Sequence, residues 1–207
     1  MTDQRLDYYF TMTSPWAYLG HQKFIDMAGR HKLNVAYHPV NLGMVFPETG
    51  GLPLAKRHPA RQAYRFLELQ RWRDKRAVAI NLKPKHFPMN PMLADCCVKA
   101  LDAAGGDVPS FMAKLFEATF VHERDGADPA TLEAVLNATG ADGRAIVAAA
   151  QSPAIVAAYE AASRAAIELG IFGSPTYVRD GELFWGQDRL ELLEDAIMSG
   201  RAGFRVP

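Results

Sequence analysis

The spacing of hydrophobic and polar positions divides the chain into three stretches. Leu6-Asp7-Tyr8-Tyr9-Phe10-Thr11 is short and rich in aromatic residues, the composition of a strand. From about Pro15 to Ala28 the period becomes helical, with Trp16, Leu19 and Phe24 near one face and Gly29 as the stop. Val35 to Val40 reads as a second strand. A strand–helix–strand order makes it parallel to the first.

The character changes after Asn41. Residues 43–54 hold five glycines or prolines in twelve positions and predict a loop with no period of its own. From about Pro59 to Ala149 nearly every pattern is helical. Ala60 to Arg76 is one candidate. Asn90-Pro91 offers an N-cap and first-turn proline for a helix reaching about Ala104. Pro109 to His122, then a helix capped by Asp128 and ended by Gly140, and a short one over Gly143 to Ala150 complete this block.

Ser152-Pro153 repeats the cap and opens a long helix to Leu169, stopped by Gly170. Strand signals then return. Pro175 to Arg179 and Glu182 to Trp185 flank Asp180-Gly181, a strong hairpin signal. Asp188 is expected to cap a final helix carrying Leu190, Leu193 and Ile197. The order is βαβ, an all-helical block, then αββα. It predicts an α/β fold, a thioredoxin-like domain (1–42 and 152–207) with a large all-helical insertion (43–151).

Composition narrows the functions. The chain has 207 residues, 49% of them hydrophobic, and a formal net charge of zero, so nucleic acid is not an expected partner. No apolar run approaches the ~20 residues of a membrane span, and the first residues lack a signal-peptide core. A cytoplasmic protein is the expectation. Cys96 and Cys97 are adjacent, which suits packed helix residues and neither a disulfide framework nor a Cys-x-x-Cys pair. The six histidines are scattered without metal-ligand spacing, so no metal is expected.

The candidate chemistry gathers at the ends of the predicted strands. Ser14-Pro15-Trp16-Ala17 stands where a strand turns directly into a helix, and there the unpaired N–H groups and positive dipole end face the turn. A cysteine at that point would become a stabilised thiolate. A serine cannot, but it can donate a hydrogen bond to a sulfur brought in by a ligand. Ser174-Pro175 precedes the third strand, where a thioredoxin-like fold commonly carries a cis-proline facing that helix. Asp188 could hold an ammonium group instead of capping. Lys56 to Arg76 concentrates eight Lys or Arg residues, mostly a solvated face, with Arg61 the leading candidate for a carboxylated ligand.

These segments resemble the 2-hydroxychromene-2-carboxylate isomerase family, relatives of the kappa-class glutathione transferases, over essentially the whole chain. The matching motifs are Asp7-x-Tyr9-Phe10 with Ser14 to Gly20, Leu69 to Trp72, His86-Phe87-Pro88-x-Asn90, Gly170 to Thr176, and Phe184 to Leu190. The resemblance implies a glutathione-dependent, homodimeric isomerase acting on a small aromatic or ring-opened acid. In it, Ser14 would meet the glutathione sulfur. Ser174 beside Pro175 would pair with its cysteinyl segment, Gln187 and Asp188 would hold the γ-glutamyl end, and Arg61 would meet a carboxylate. Trp16, Tyr18 and Asn90 are the implied substrate contacts. Ser174 and Arg61 depart from the apolar residue and lysine usual in the family, and Thr49-Gly50-Gly51 lacks its asparagine. A conjugating transferase, a thiol–disulfide oxidoreductase and a non-catalytic glutathione- or peptide-binding module are the rival readings, and the lack of cysteine at 14 and 17 weighs against the second.

Overall fold

The structure, a computed structural model, describes residues 5–206. Its first strand, β1 (Arg5–Phe10), leads through a tight turn into helix α1 (Pro15–Arg30) and on to β2 (Asn34–Pro39). After a run of helices, β3 (Thr176–Arg179) and β4 (Glu182–Trp185) form a hairpin. The sheet order is β2-β1-β3-β4, with β1 parallel to β2 and antiparallel to β3. This is the expected thioredoxin-like sheet. Asp180 and Gly181 turn the hairpin with φ of 49° and 75°, left-handed values that Asp tolerates and glycine adopts freely.

Aromatic side chains fix α1 on the sheet. Tyr8 on β1 lies opposite Tyr177 on β3, with ring centroids 4.9 Å apart and planes 10° from parallel. Phe24 of α1 closes over both, at 4.6 Å from Tyr8 and 4.8 Å from Tyr177. All three rings are buried, and rings of this size dominate a core's apolar area.

Between β2 and β3 run α2 (Leu42–Thr49), α3 (Pro59–Arg76), α4 (Met92–Ala103), α5 (Val108–Phe120), α6 (Pro129–Asn137), α7 (Gly143–Ala150) and α8 (Pro153–Glu168). The last helix, α9 (Leu190–Ser199), follows β4. The buried apolar residues of β1, α1, α4, α5 and α6 join in one cluster, so the sheet and the inserted helices share a core. Cys96 and Cys97 lie inside it, and burial pushes their thiols up to about 11 and about 12. Among the described residues no single helix is long and apolar enough to cross a membrane.

Three expectations are corrected. The expected loop at 43–54 contains α2 and a 3₁₀ turn at Leu54–Lys56. Asn41 starts α2 by accepting from Gly43 N at 2.9 Å, and Val45 packs into a small core with Tyr9, Val40 and Ile171. Burial outweighs Pro47 inside so short a helix, and Gly50, at φ 77°, ends it. α4 begins at Met92 rather than at Pro91; the Asn90 side chain still accepts from Met92 N at 3.1 Å. Asp188 does not cap α9. It sits within a 3₁₀ turn at Gln187–Arg189, and α9 starts without a side-chain cap.

Candidate functional site

Ser14 is the N-cap of α1, and the backbone explains why. Its N–H donates to Thr11 O at 3.0 Å, which closes the turn after β1, and its Oγ accepts from Ala17 N at 3.2 Å. Pro15 at the first helical position needs no N–H partner. The Ser14 hydroxyl in turn donates to Ser174 O at 3.2 Å. Ser174 replies from the other side, its Oγ accepting from Thr11 N at 3.1 Å. The Ser174–Pro175 peptide is cis, as expected, and Gly186 N donates to Pro175 O at 2.8 Å. The two serines therefore hold the β1–α1 turn against the chain entering β3.

Beside this pair lies an open cavity of about 470 Å³, within the usual size range for a small-ligand site. Trp16 and Ser174 form its inner wall, α3 supplies Arg61, Tyr64, Arg65, Glu68 and Trp72, and the end of β4 with the turn after it supplies Trp185 to Arg189. Ser14 is 6% exposed, and its neighbours, rather than its own side chain, line the opening. All three tryptophans of the chain, Trp16, Trp72 and Trp185, border this cavity.

Its electrostatics are lopsided. Glu68 pairs with Arg71, and Asp188 with Arg189 at 2.6 Å, so both wall carboxylates have partners. Arg57, Arg61 and Arg65 have no carboxylate partner among the described residues. Arg57 Nε donates to Leu52 O at 2.8 Å. Arg65 stacks its guanidinium 5.1 Å over Phe87, and burial, helped by Arg57, brings its pKa down to about 10. Guanidiniums without counter-ions, two of them (Arg57 and Arg65) partly buried, suit a ligand that brings carboxylates.

The floor is braced from behind. Gln187 is 2% exposed, with Arg76 Nε donating to its Oε1 at 3.0 Å and Arg76 Nη2 to its carbonyl at 3.1 Å. The same arginine pairs with Glu191 at 2.9 Å, which ties α3 to α9. Gly20 of α1 lies so close that a Cβ there would sit 2.4 Å from Gln187 Cβ. Gly173 likewise leaves room for the Trp185 indole.

Of the residues singled out from sequence, Trp16, Arg61, Ser174, Gln187 and Asp188 line the cavity, and Ser14 and Pro175 stand directly behind it. Tyr18 does not join them: its hydroxyl donates to Ala79 O at 2.7 Å and its ring stacks on Phe120 at 5.3 Å. Asn90 borders a separate cavity of about 320 Å³ with Met92, Leu93 and Gln151. Sequence reasoning missed Arg57, Tyr64, Arg65, Trp72 and Trp185 as wall residues. A helix with Arg61, Arg65, Glu68 and Trp72 at i, i+4, i+7 and i+11 carries that face in its spacing, hidden because a solvated face looks the same.

The family described as DSBA-like thioredoxin domain matches residues 5–198. The chain is 28% identical to a 2-hydroxychromene-2-carboxylate isomerase of Sphingobium xenophagum, covering 93% of this chain and 97% of that protein. It is 27% identical to the protein of that name from Pseudomonas putida, covering 93% of each. A solved structure of 2-hydroxychromene-2-carboxylate isomerase superposes with a TM-score of 0.79 at 24% identity, over 94% of this chain and 95% of that one. The cytosolic disulfide reductase DsbM from Pseudomonas aeruginosa, solved with GSH, gives 0.66 at 19%, over 94% and 99%. The expected resemblance is borne out.

Proposed function

This chain belongs to the DSBA-like thioredoxin domain family, and within it we propose a glutathione-dependent isomerase interconverting 2-hydroxychromene-2-carboxylate and trans-o-hydroxybenzylidenepyruvate. The observation that carries this is the serine pair beside a cavity lined by four arginines, three of which, Arg57, Arg61 and Arg65, have no carboxylate partner among the described residues. The relatives' names support the same chemistry.

The residues fit glutathione. It offers two carboxylates to a wall that carries Arg57, Arg61 and Arg65, and an ammonium to Asp188. When bound it supplies a sulfur nucleophile that adds reversibly to an unsaturated carbon, so that the bond can rotate before the sulfur leaves. Ser14 and the positive end of the α1 dipole would stabilise negative charge on that sulfur. To do so the Ser14 hydroxyl turns its hydrogen away from Ser174 O, exchanging a neutral hydrogen bond for a stronger charge-assisted one. Ser174 presents its backbone to an extended peptide, and Arg76 keeps Gln187 and the adjoining turn in place. Trp16, Tyr64 and Trp72 provide flat apolar surface for an aromatic acid while the arginines orient its carboxylate.

In this proposal the ligand lies between the sheet unit (1–42 and 152–207) and the helical unit (43–151), since both supply wall residues. The working form is a cytoplasmic homodimer, for which exposed Leu192 and Phe204 beside the β4 edge offer an apolar face.

The deciding experiment follows isomerisation of 2-hydroxychromene-2-carboxylate by absorbance while glutathione is varied. Saturable dependence on glutathione, with the tripeptide recovered unconsumed, is expected. Accumulation of a conjugate would make the protein a transferase, and turnover indifferent to glutathione would end the proposal.

A further inference from the structure

Helix α4 carries a carboxylate into the core. Asp95 is fully buried and has no cation partner among the described residues. Its Oδ1 accepts from Met12 N at 2.7 Å, and its Oδ2 accepts from Thr11 Oγ1 at 2.8 Å and from the Tyr159 hydroxyl at 3.0 Å. Thr11 and Met12 belong to the turn that delivers Ser14. Ser14 N is bonded to Thr11 O, and Thr11 N to Ser174 Oγ. The buried carboxylate therefore grips, through two bonds, the same turn that holds both serines.

We propose that Asp95 is the positioning residue of the Ser14–Ser174 pair, and that its single proton switches the cavity wall between a held and a loosened arrangement. This rests on the reading of that wall as the ligand site. Ionised, Asp95 only accepts, and all three donors can point at it. Protonated, its O–H must itself donate, so the Thr11 or Tyr159 hydroxyl turns to accept it and the charge-assisted bonds that grip the turn become weaker neutral ones. Burial without a counter-ion disfavours the charged form and raises the group from 3.8 to about 7, against the pull of the three donors. The other ionisable groups near it are Tyr159 on α8 and Cys96 and Cys97 on α4, with Lys99 further along the helix beside Cys96; burial raises the first three. None of those three changes charge near neutrality, which leaves Asp95 to do so.

The tryptophans make this testable without any ligand, because all three border the cavity. Intrinsic fluorescence of the wild-type chain is expected to show a transition centred near pH 7, missing from Asp95→Asn. Tyr159→Phe and Thr11→Val each remove a donor to the charged form and should move the midpoint up by about one to two pH units. Circular dichroism verifies that each variant is folded. If Asp95→Asn fails to fold, the Tyr159→Phe midpoint decides, and an unshifted value overturns the proposal. A transition that persists unchanged in Asp95→Asn belongs to a histidine and also overturns it, as does a wild-type signal flat from about pH 5 to 9. In turnover, Asp95→Asn should lose the matching limb of the kcat/KM profile. Should the chromene acid never be isomerised while the fluorescence transition still follows Asp95, the proposed function falls and this inference stands.

Discussion

The Ser14 hydroxyl donates to the Ser174 carbonyl oxygen across 3.2 Å, joining residues 160 positions apart in sequence. One caps α1 after the turn that follows β1, and the other enters β3, so the bond locks the helix N-terminus to the sheet. Any ligand held at this junction meets the positive end of a helix on one side and the chain entering β3 on the other.

Removing that oxygen isolates its role. Ser14→Ala deletes the N-cap bond to Ala17 N, which costs about 1 kcal/mol of stability and leaves the fold intact. In the proposed reaction it also removes one charge-assisted bond to sulfur, of roughly 1.5–3 kcal/mol, so turnover at neutral pH should fall about tenfold or more. Absorbance kinetics beside a thermal melt separate the two effects. Unchanged kinetics would remove Ser14 from the reaction.

Arg61 borders the cavity without a carboxylate partner among the described residues, while Asn90 borders a different cavity. Arg61→Ala should raise the KM for glutathione or for the acid about tenfold or more, with little change in Tm. Asn90→Ala should leave both KM values within about twofold. Steady-state titration of each substrate against both variants checks the contrast, and equal effects would contradict this placement.

Gly20 tests the bracing of the floor. A methyl group there would collide with Gln187 Cβ, at a backbone-proximal position that cannot swing aside. Overpacking of this kind costs about 1–3 kcal/mol. Gly20→Ala should therefore lower Tm by roughly 2–10 °C and weaken glutathione binding, because the displaced turn carries Gln187 and Asp188. Calorimetric melting and ligand titration would show both, and a melt identical to wild type would place the turn elsewhere.

Acid should loosen the far end of α1 through Glu194. Arg30, at 2.6 Å, foremost, with His31 and Lys23, pulls this carboxyl down to about 2 against a modest burial penalty. A depressed acid stabilises the folded chain at pH values above its unfolded pKa. That contribution is complete above about pH 4.5 and drains away as pH falls towards 2. Glu194→Gln should be less stable than wild type at neutral pH and equal to it near pH 2. Urea midpoints across that range measure the difference, and parallel curves would refute it.

Much of the fold was legible because local rules and tertiary packing agree. Asp128 and Ser152 cap the helices expected of them, and Asp180-Gly181 turns the expected hairpin. Where they disagree, burial decides. Residues 43–54 look like a loop by their prolines and glycines, yet 42–49 become helical when Val45 finds a small core. Asp188 has the chemistry of a cap, but the 3₁₀ turn around it presents it to the cavity instead. Of the wall arginines only Arg61 was singled out, and Arg57 and Arg65 were visible only within a charged stripe, since spacing along a helix marks a face without saying what it faces.

The sequence by itself determined the βαβ–helical–αββα order, the serine at a strand-to-helix turn and the lack of a cysteine beside it, because these follow from period, capping and residue chemistry along a local stretch. The tertiary structure alone decided that Ser14 meets Ser174, that Arg61 and Arg65 of α3 share one opening with Trp16 and Asp188, and that Asp95 reaches the turn from α4. Those pairings join positions far apart in the chain. They are set by how helices pack on the sheet, and no local pattern encodes that.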